Sequence, residues 1–247
     1  SKGDGKPIAA FAIPFEKWEA GNFEVDDIID LTPNLAFEQV ISWQSPPGKY
    51  TLLYFMEKDV PWYIDALNPE STERFIEIGY ESYNKAMPEM MGTDIAGFYT
   101  DEPAMHYYAV TRPNNIVPWT AEMFKAFKER NGYDLKPRLP ALFATMGEET
   151  AKIRYDFWST LSDLYEEGYY KQLKRWCNKR GMYFVGHLLF EESLWVHARC
   201  GGNLFQMLRN LDVVGTDHLY PKIGTDDEPM EHVPLKIASS AAQHFGS

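Results

Sequence analysis

The feature that most constrains this chain is the alternation, in its second half, of short apolar runs with helical stripes. Ile95–Thr100 (IAGFYT) reads as a strand. A helix from about Glu148 to Arg180 follows, with Ile153, Phe157, Leu161, Leu164, Tyr165, Tyr169, Leu173 and Trp176 on one stripe and Gly181 at its end. Met182–Phe190 (MYFVGHLLF) then reads as a buried strand, Asn203–Asn210 as a short helix and Asp212–Leu219 (DVVGTDHL) as another strand. Strands separated by helices return to one sheet in the same direction, so this order predicts an α/β fold with a parallel sheet.

The first half fits the same scheme less regularly. Ile8–Pro14 (IAAFAIP) and Tyr50–Met56 (YTLLYFM) are strand candidates, the second entered through the turn Ser45-Pro46-Pro47-Gly48. A helix is expected from Asn68, a cap candidate together with Ser71, to about Met90, and another from Trp119 to Arg130, closed by Asn131-Gly132. Pro234–Phe245 returns to helix. The expected architecture is one domain over residues 1–247, a parallel (β/α) TIM-type barrel. It is incomplete, because a long helical crossover over about 103–180 leaves it short by one or two βα units.

Composition narrows the function. Lys and Arg number 24 against 36 Asp and Glu, a formal charge of −12, which argues against a nucleic-acid partner because phosphate contacts need clustered cations. No apolar run reaches the roughly 18 residues of a membrane span. Aromatic residues make up 15% of the chain, and an acidic, aromatic-rich protein suits sugars, whose rings stack on aromatic faces and whose hydroxyls bond to carboxylates. Two cysteines, Cys177 and Cys200, are too few for a disulfide scaffold and leave one optional bridge. The opening SKGDGKPIAAFAIPF lacks the long apolar stretch of a signal peptide and reads as a cut inside a longer protein with further domains.

In a parallel βα fold the chemistry gathers at the C-terminal strand ends. IAGFYT is followed by Asp101-Glu102-Pro103, MYFVGHLLF carries His187 and is followed by Glu191-Glu192, and DVVGTDHL carries Asp217 and His218. Two carboxylates facing one cleft are the minimal equipment for glycoside hydrolysis, one protonated and one ionised. Glu102 is the general-acid candidate. Pro103 is expected to hold it in extended backbone, and Tyr99 and Asp101 to raise its pKa. Glu191 is the second carboxylate, while Tyr99, Asp101, His187, Trp195, Asp217 and His218 are substrate-binding candidates. The bland alternative is a solvated turn at Asp101-Glu102-Pro103, a surface Glu191-Glu192 pair and a satisfied core histidine at 187. A carbohydrate-binding protein without catalysis stays open, as does a metal-dependent hydrolase on a barrel. Nucleotide-binding, serine-hydrolase and zincin motifs are absent from the sequence, and no metal or cofactor is anchored by spacing.

The blocks GFYTDEP, NGYDLKPRLPALF, YDFWSTLSDLYEEGYYKQLKRWCNKRGM, GHLLFEESL, GTDHL and IASSAAQHFG, in that order, resemble the catalytic barrel of the family 106 α-L-rhamnosidases. IIDLTPNLAF and ISWQSPPGKYTLLYF resemble the stretch that precedes it. The resemblance implies a bacterial glycosidase acting on polysaccharide side chains, calcium as cofactor, inverting chemistry, and a periplasmic or secreted location. By position, Glu102 matches the acidic residue after the fourth strand and Glu191 the glutamate of the GHxxxE block, with His187, Asp217 and His218 lining the sugar pocket. A further essential glutamate of the next strand would lie beyond Ser247.

Overall fold

A computed structural model of the chain describes residues 5–35, 41–60, 63–105, 116–217 and 232–246. Two compact units are distinguishable, one formed by Ser1–Tyr63 with Ala121–Phe157, the other by Ile64–Thr120 with Trp158–Ser247.

The first unit is built on β1 (Lys6–Pro14), flanked by β2 (Ile29–Asp30) and β3 (Tyr50–Glu57) in the order β2-β1-β3. Both pairings are antiparallel, with Phe11 opposite Leu53 and Ala12 opposite Ile29. Residues 9–13 of β1 are buried without alternation, as expected of a central strand covered on both faces. Ala10 and Ala12 pack with Leu31, and Ile29, Trp43, Tyr50 and Tyr54 close around them. This sheet corrects the expectation that IAAFAIP and YTLLYFM run parallel in a barrel. A parallel return needs a crossover of a dozen residues or more, usually a helix, and between these strands the described helix α1 (Phe15–Ala20) has only six residues. Helix α4 (Met123–Asn131) also lies in this unit and ends, as expected, on Gly132 in the left-handed conformation at φ 79°.

The second unit carries the predicted parallel sheet. β4 (Gly97–Asp101), β5 (Tyr183–His187) and β6 (Val213–Val214) lie in the order β4-β5-β6, with Asp101 beside His187 and Val185 beside Val213. Alternation divides the faces of β4 and β5. Phe98, Thr100 and Phe184 turn to an aromatic layer, where Tyr80 stacks on Phe98 at 4.2 Å, Trp176 meets both edge-on and Tyr169 Oη lies 3.0 Å from Thr100 Oγ1. Tyr99, Asp101 and His187 occupy the opposite face. Gly186 is required at the β4–β5 seam, since a Cβ there would sit 2.3 Å from the Thr100 carbonyl oxygen.

The helices predicted over 68–90 and 148–180 are more broken than their periodicity suggests. The segment expected from Asn68 to Met90 splits into α2 (Pro69–Ile78) and α3 (Tyr80–Ala86), because Gly79 leaves helical geometry at ψ −80°. Asn68 is the cap, its side chain accepting from the Glu70 amide at 3.0 Å. The stretch from Glu148 to Arg180 becomes α5 (Thr150–Tyr165), a wide π turn over Glu166–Tyr170, and α6 (Lys171–Asn178). That wide turn brings Glu166, Tyr169 and Tyr170 inward together, where a regular helix would have rotated some of them to solvent. Before β6 come α7 (Leu194–Cys200), which sequence periodicity did not predict, and α8 (Leu204–Leu208). Among the described residues of the expected DVVGTDHL run, 212–217, β6 takes in Val213 and Val214, and α9 (Val233–Phe245) follows the undescribed residues 218–231. Cys177 and Cys200 are both buried free thiols, pushed up by burial to about 11 and about 12, so the optional bridge is not formed. Among the described residues no helix is long and apolar enough to cross a membrane.

Candidate active site

β4, β5 and β6 end side by side, and the polar residues that follow them converge. His187 closes β5 with its side chain 7% exposed. Its Nδ1 lies 2.5 Å from the Tyr99 hydroxyl, which fixes the ring. Its Nε2 is buried without a hydrogen-bond partner and faces Asp101 Oδ1 at 3.5 Å, Glu102 Oε1 at 4.0 Å and Asp217 Oδ2 at 4.0 Å. The bland reading of His187 as a satisfied core histidine therefore fails at one of its two nitrogens.

Glu102 departs from the sequence expectation. Its φ is +46°, in the left-handed region, whereas a residue before proline was expected to be extended. A positive φ on a side chain of this size is strained and persists only where the surroundings hold it. Here Pro103, Ala104 and Met105 are all buried, the Met105 amide donates to the Cys200 carbonyl at 2.7 Å, and Ala104 packs with Leu189 and Cys200. Phe190, packed against that same cluster, is the other described non-glycine residue with positive φ, at +56°. Both strand-end loops are thus bent sharply where they meet, and the bend sets the direction in which Glu102 leaves β4. Partial burial pushes the Glu102 carboxyl up, Asp101, Asp217 and Glu192 add like-charge repulsion, and His187 opposes them. Burial also raises the Tyr99 phenol, assisted by Asp101, Asp217, Glu191 and Glu102, so the hydroxyl keeps its proton.

Glu191 is of a different kind. It is buried and accepts from the Leu188 amide at 3.3 Å, from the Asp217 amide at 2.9 Å and from the Thr216 hydroxyl. These bonds tie the end of β5 to the end of β6 and hold the carboxylate in one orientation. Thr216 escaped the sequence reading, although a hydroxyl immediately before Asp217 at a strand end was the available signal.

Tyr99, Asp101, Glu102, His187, Glu191 and Asp217 are therefore brought to one place. Trp195 is not part of that contact set: it sits on α7, 67% exposed, with the Arg199 guanidinium 5.3 Å from its ring centroid. His218 lies outside the described residues. Glu102, His187 and Asp217 each offer one ligand atom, all within 4.8 Å of one another. Calcium, implied by the family resemblance, takes six to eight oxygen ligands. An imidazole nitrogen at the buried centre of the described set does not fit that demand, and no chemical step is routed through calcium below.

A profile of the α-L-rhamnosidase family matches residues 10–247. The chain belongs to glycoside hydrolase family 106. A protein of Formosa agariphila named "Putative beta-glucuronidase" is 25% identical over 173 residues, which cover 64% of this chain and 14% of that one. The solved structure of a rhamnosidase from Novosphingobium sp. PP1Y superposes with a TM-score of 0.62 at 22% identity, over 90% of this chain and 22% of that one. This chain accordingly spans less than a quarter of the length of either relative. The solved structure supports the α/β fold with its parallel sheet.

Proposed function

We propose that this chain carries the proton-donating part of a glycosidase site within a (β/α) barrel architecture, acting on a neutral sugar such as an α-L-rhamnoside. The observation that carries the reading is Glu102: a carboxyl raised above its ordinary range, on a strained strand-end turn, among other carboxylates. Glycoside hydrolysis needs one carboxylic acid still protonated near neutrality beside another that stays ionised. Glu191, oriented by three donors, is the second carboxylate of the pair. Tyr99, Asp101, His187 and Asp217 supply the hydrogen-bonding groups that would orient sugar hydroxyls.

The acidic surroundings also bear on the substrate. The Formosa agariphila relative is named for a uronic-acid substrate, but a substrate carboxylate placed among Asp101, Glu102, Glu191 and Asp217 would be repelled. A neutral ring is not. The test is turnover of aryl α-L-rhamnosides and aryl β-glucuronides by the wild type and by Glu102→Gln. Hydrolysis of the neutral glycoside that falls by about 10² or more in the variant is expected. Unchanged turnover in Glu102→Gln removes Glu102 as the acid. Sugar binding by calorimetry with no hydrolysis at any pH would instead make the chain a carbohydrate-binding protein.

A further inference from the structure

His197 is buried beside the site, and the glycosidase reading gives it no task. It lies on α7 with 1% exposure. Its Nδ1 is 2.7 Å from the Leu189 carbonyl oxygen, which can only accept, so Nδ1 carries the proton. Nε2 has no hydrogen-bond partner among the described residues. Burial holds the pKa of the ring below the ordinary histidine range, outweighing the opposite pull of the Leu189 carbonyl, so the imidazole is neutral. A leucine or phenylalanine would fill this space without the cost of burying a polar ring. Packing alone therefore does not account for a histidine here, whereas the bond to Leu189 does. The chain also makes room for the ring at Gly201. Its φ of −117° does not demand glycine, yet a Cβ there would stand 2.2 Å from His197 Cε1.

α7 is tied to both bent turns of the site. Just before it, the Ser193 amide donates to the Phe190 carbonyl at 3.0 Å, and His197 reaches back over the same turn to Leu189. At its end, the Cys200 carbonyl accepts from the Met105 amide at 2.7 Å, and Cys200 packs with Ala104 and Leu189. Glu191 directly follows Phe190, whose φ is +56°, and Glu102, with φ +46°, lies three residues before the Met105 anchor. We propose that His197 is a positioning residue: through the Leu189 carbonyl and the Cys200 end of α7 it fixes where Glu191 and Glu102 stand relative to each other. Glycoside hydrolysis depends on the separation of its two carboxyl groups, so a bracket spanning both turns acts on the rate without touching the sugar. The effect on rate rests on the glycosidase reading; the bracket itself does not.

The experiment compares the wild type with His197→Phe, His197→Asn and Gly201→Ala by aryl α-L-rhamnoside kinetics across pH and by amide hydrogen exchange, with circular dichroism to confirm each fold. Phenylalanine keeps the ring volume and removes the donor, asparagine returns an N–H to the place of Nδ1, and alanine at 201 pushes the ring from its seat. His197→Phe and Gly201→Ala are expected to lose about 10²-fold in kcat with KM little changed, and His197→Asn to recover most of that loss. In the first two the alkaline limb of kcat/KM should move to lower pH, because a loosened turn exposes Glu102, whose carboxyl is raised chiefly by burial. Exchange at the Met105 and Leu188 amides should quicken in the same two variants and slow again in His197→Asn, while the amides of β4 and β5 keep wild-type exchange. Folded His197→Phe or Gly201→Ala protein with wild-type kcat, limb and exchange overturns the proposal, as does His197→Asn no better than His197→Phe. Gly201→Ala carries the same readings should His197→Phe fail to fold. A wild type that hydrolyses no glycoside removes the proposed function, and quickened exchange confined to the two turns still upholds the bracket.

Discussion

The Glu166 network and the Glu102 cluster lie in the same unit and differ in almost every neighbour. Glu166 is buried in the wide turn between α5 and α6, where Arg209 reaches it through Nε at 2.7 Å and Nη2 at 2.6 Å. Asn210 and Gln206 donate to it at 2.9 and 3.0 Å. Burial works against its charge, but these donors outweigh it and lower its pKa to about 2. Around Glu102 the neighbours are carboxylates and one imidazole, and its pKa moves the other way. The same side chain is therefore a fixed anion that joins α8 and the residues just after it to the wide turn between α5 and α6 in one place, and a carboxyl able to hold a proton in the other. Burial acts in the same direction on both; the partners decide the outcome.

The largest expected effect is on catalysis and is read at Glu102. Glu102→Gln should lower kcat on an activated glycoside by about 10²–10⁴ while leaving the protein folded, measured by steady-state kinetics alongside circular dichroism. Because the folded state raises the Glu102 pKa, ionisation of this group opposes folding as pH rises. The same variant should therefore melt no lower than the wild type at neutral pH.

Glu166→Ala should show the opposite pattern. Removing a buried anion leaves Arg209, Asn210 and Gln206 without their common acceptor, at about 3 kcal/mol in urea unfolding, with kcat per folded molecule unchanged. A Glu166 variant that is stable but inactive would break the contrast. The pH dependence of stability sharpens it further. Glu166 has a folded pKa of about 2, well below its ordinary carboxylate value. Its contribution is complete above that ordinary range, about pH 4.3, and is lost as pH falls through about 2. Acid-unfolding curves of the wild type and Glu166→Gln should accordingly differ near neutrality and converge toward pH 2.

The smallest effect is expected at Tyr99. Tyr99→Phe loses a single hydrogen bond to His187 at a half-exposed ring, about 1 kcal/mol or roughly fivefold in kcat. A loss as large as that of Glu102→Gln would make the phenol itself a reacting group.

Much of the site was legible in the order of residues. β4 and β5 were readable as apolar runs, and a parallel βα arrangement makes the residues after them neighbours whatever their spacing in sequence, which is why Glu102, His187 and Asp217 meet. Strand direction was not legible for β1 and β3, since a run of apolar residues has the same composition in a parallel or an antiparallel pair. Nor was the Glu166 network, whose partners lie 40 to 44 residues away on and just after a helix with no motif. Pro103 pointed to extended backbone at Glu102, a local preference overridden by packing of Ala104 against Leu189 and Cys200 and by the Met105–Cys200 bond.

By itself the sequence determined the family, the parallel core of the second unit and the identity of the groups at its strand ends, because periodicity and strand-to-helix order act through local geometry. Tertiary structure alone decided that β1 and β3 pair antiparallel, that Glu102 is bent into the left-handed region, and that the second nitrogen of His187 is buried among carboxylates. Those outcomes depend on contacts between segments far apart in the chain, where burial and the charge of the neighbours outweigh the preference of any single residue.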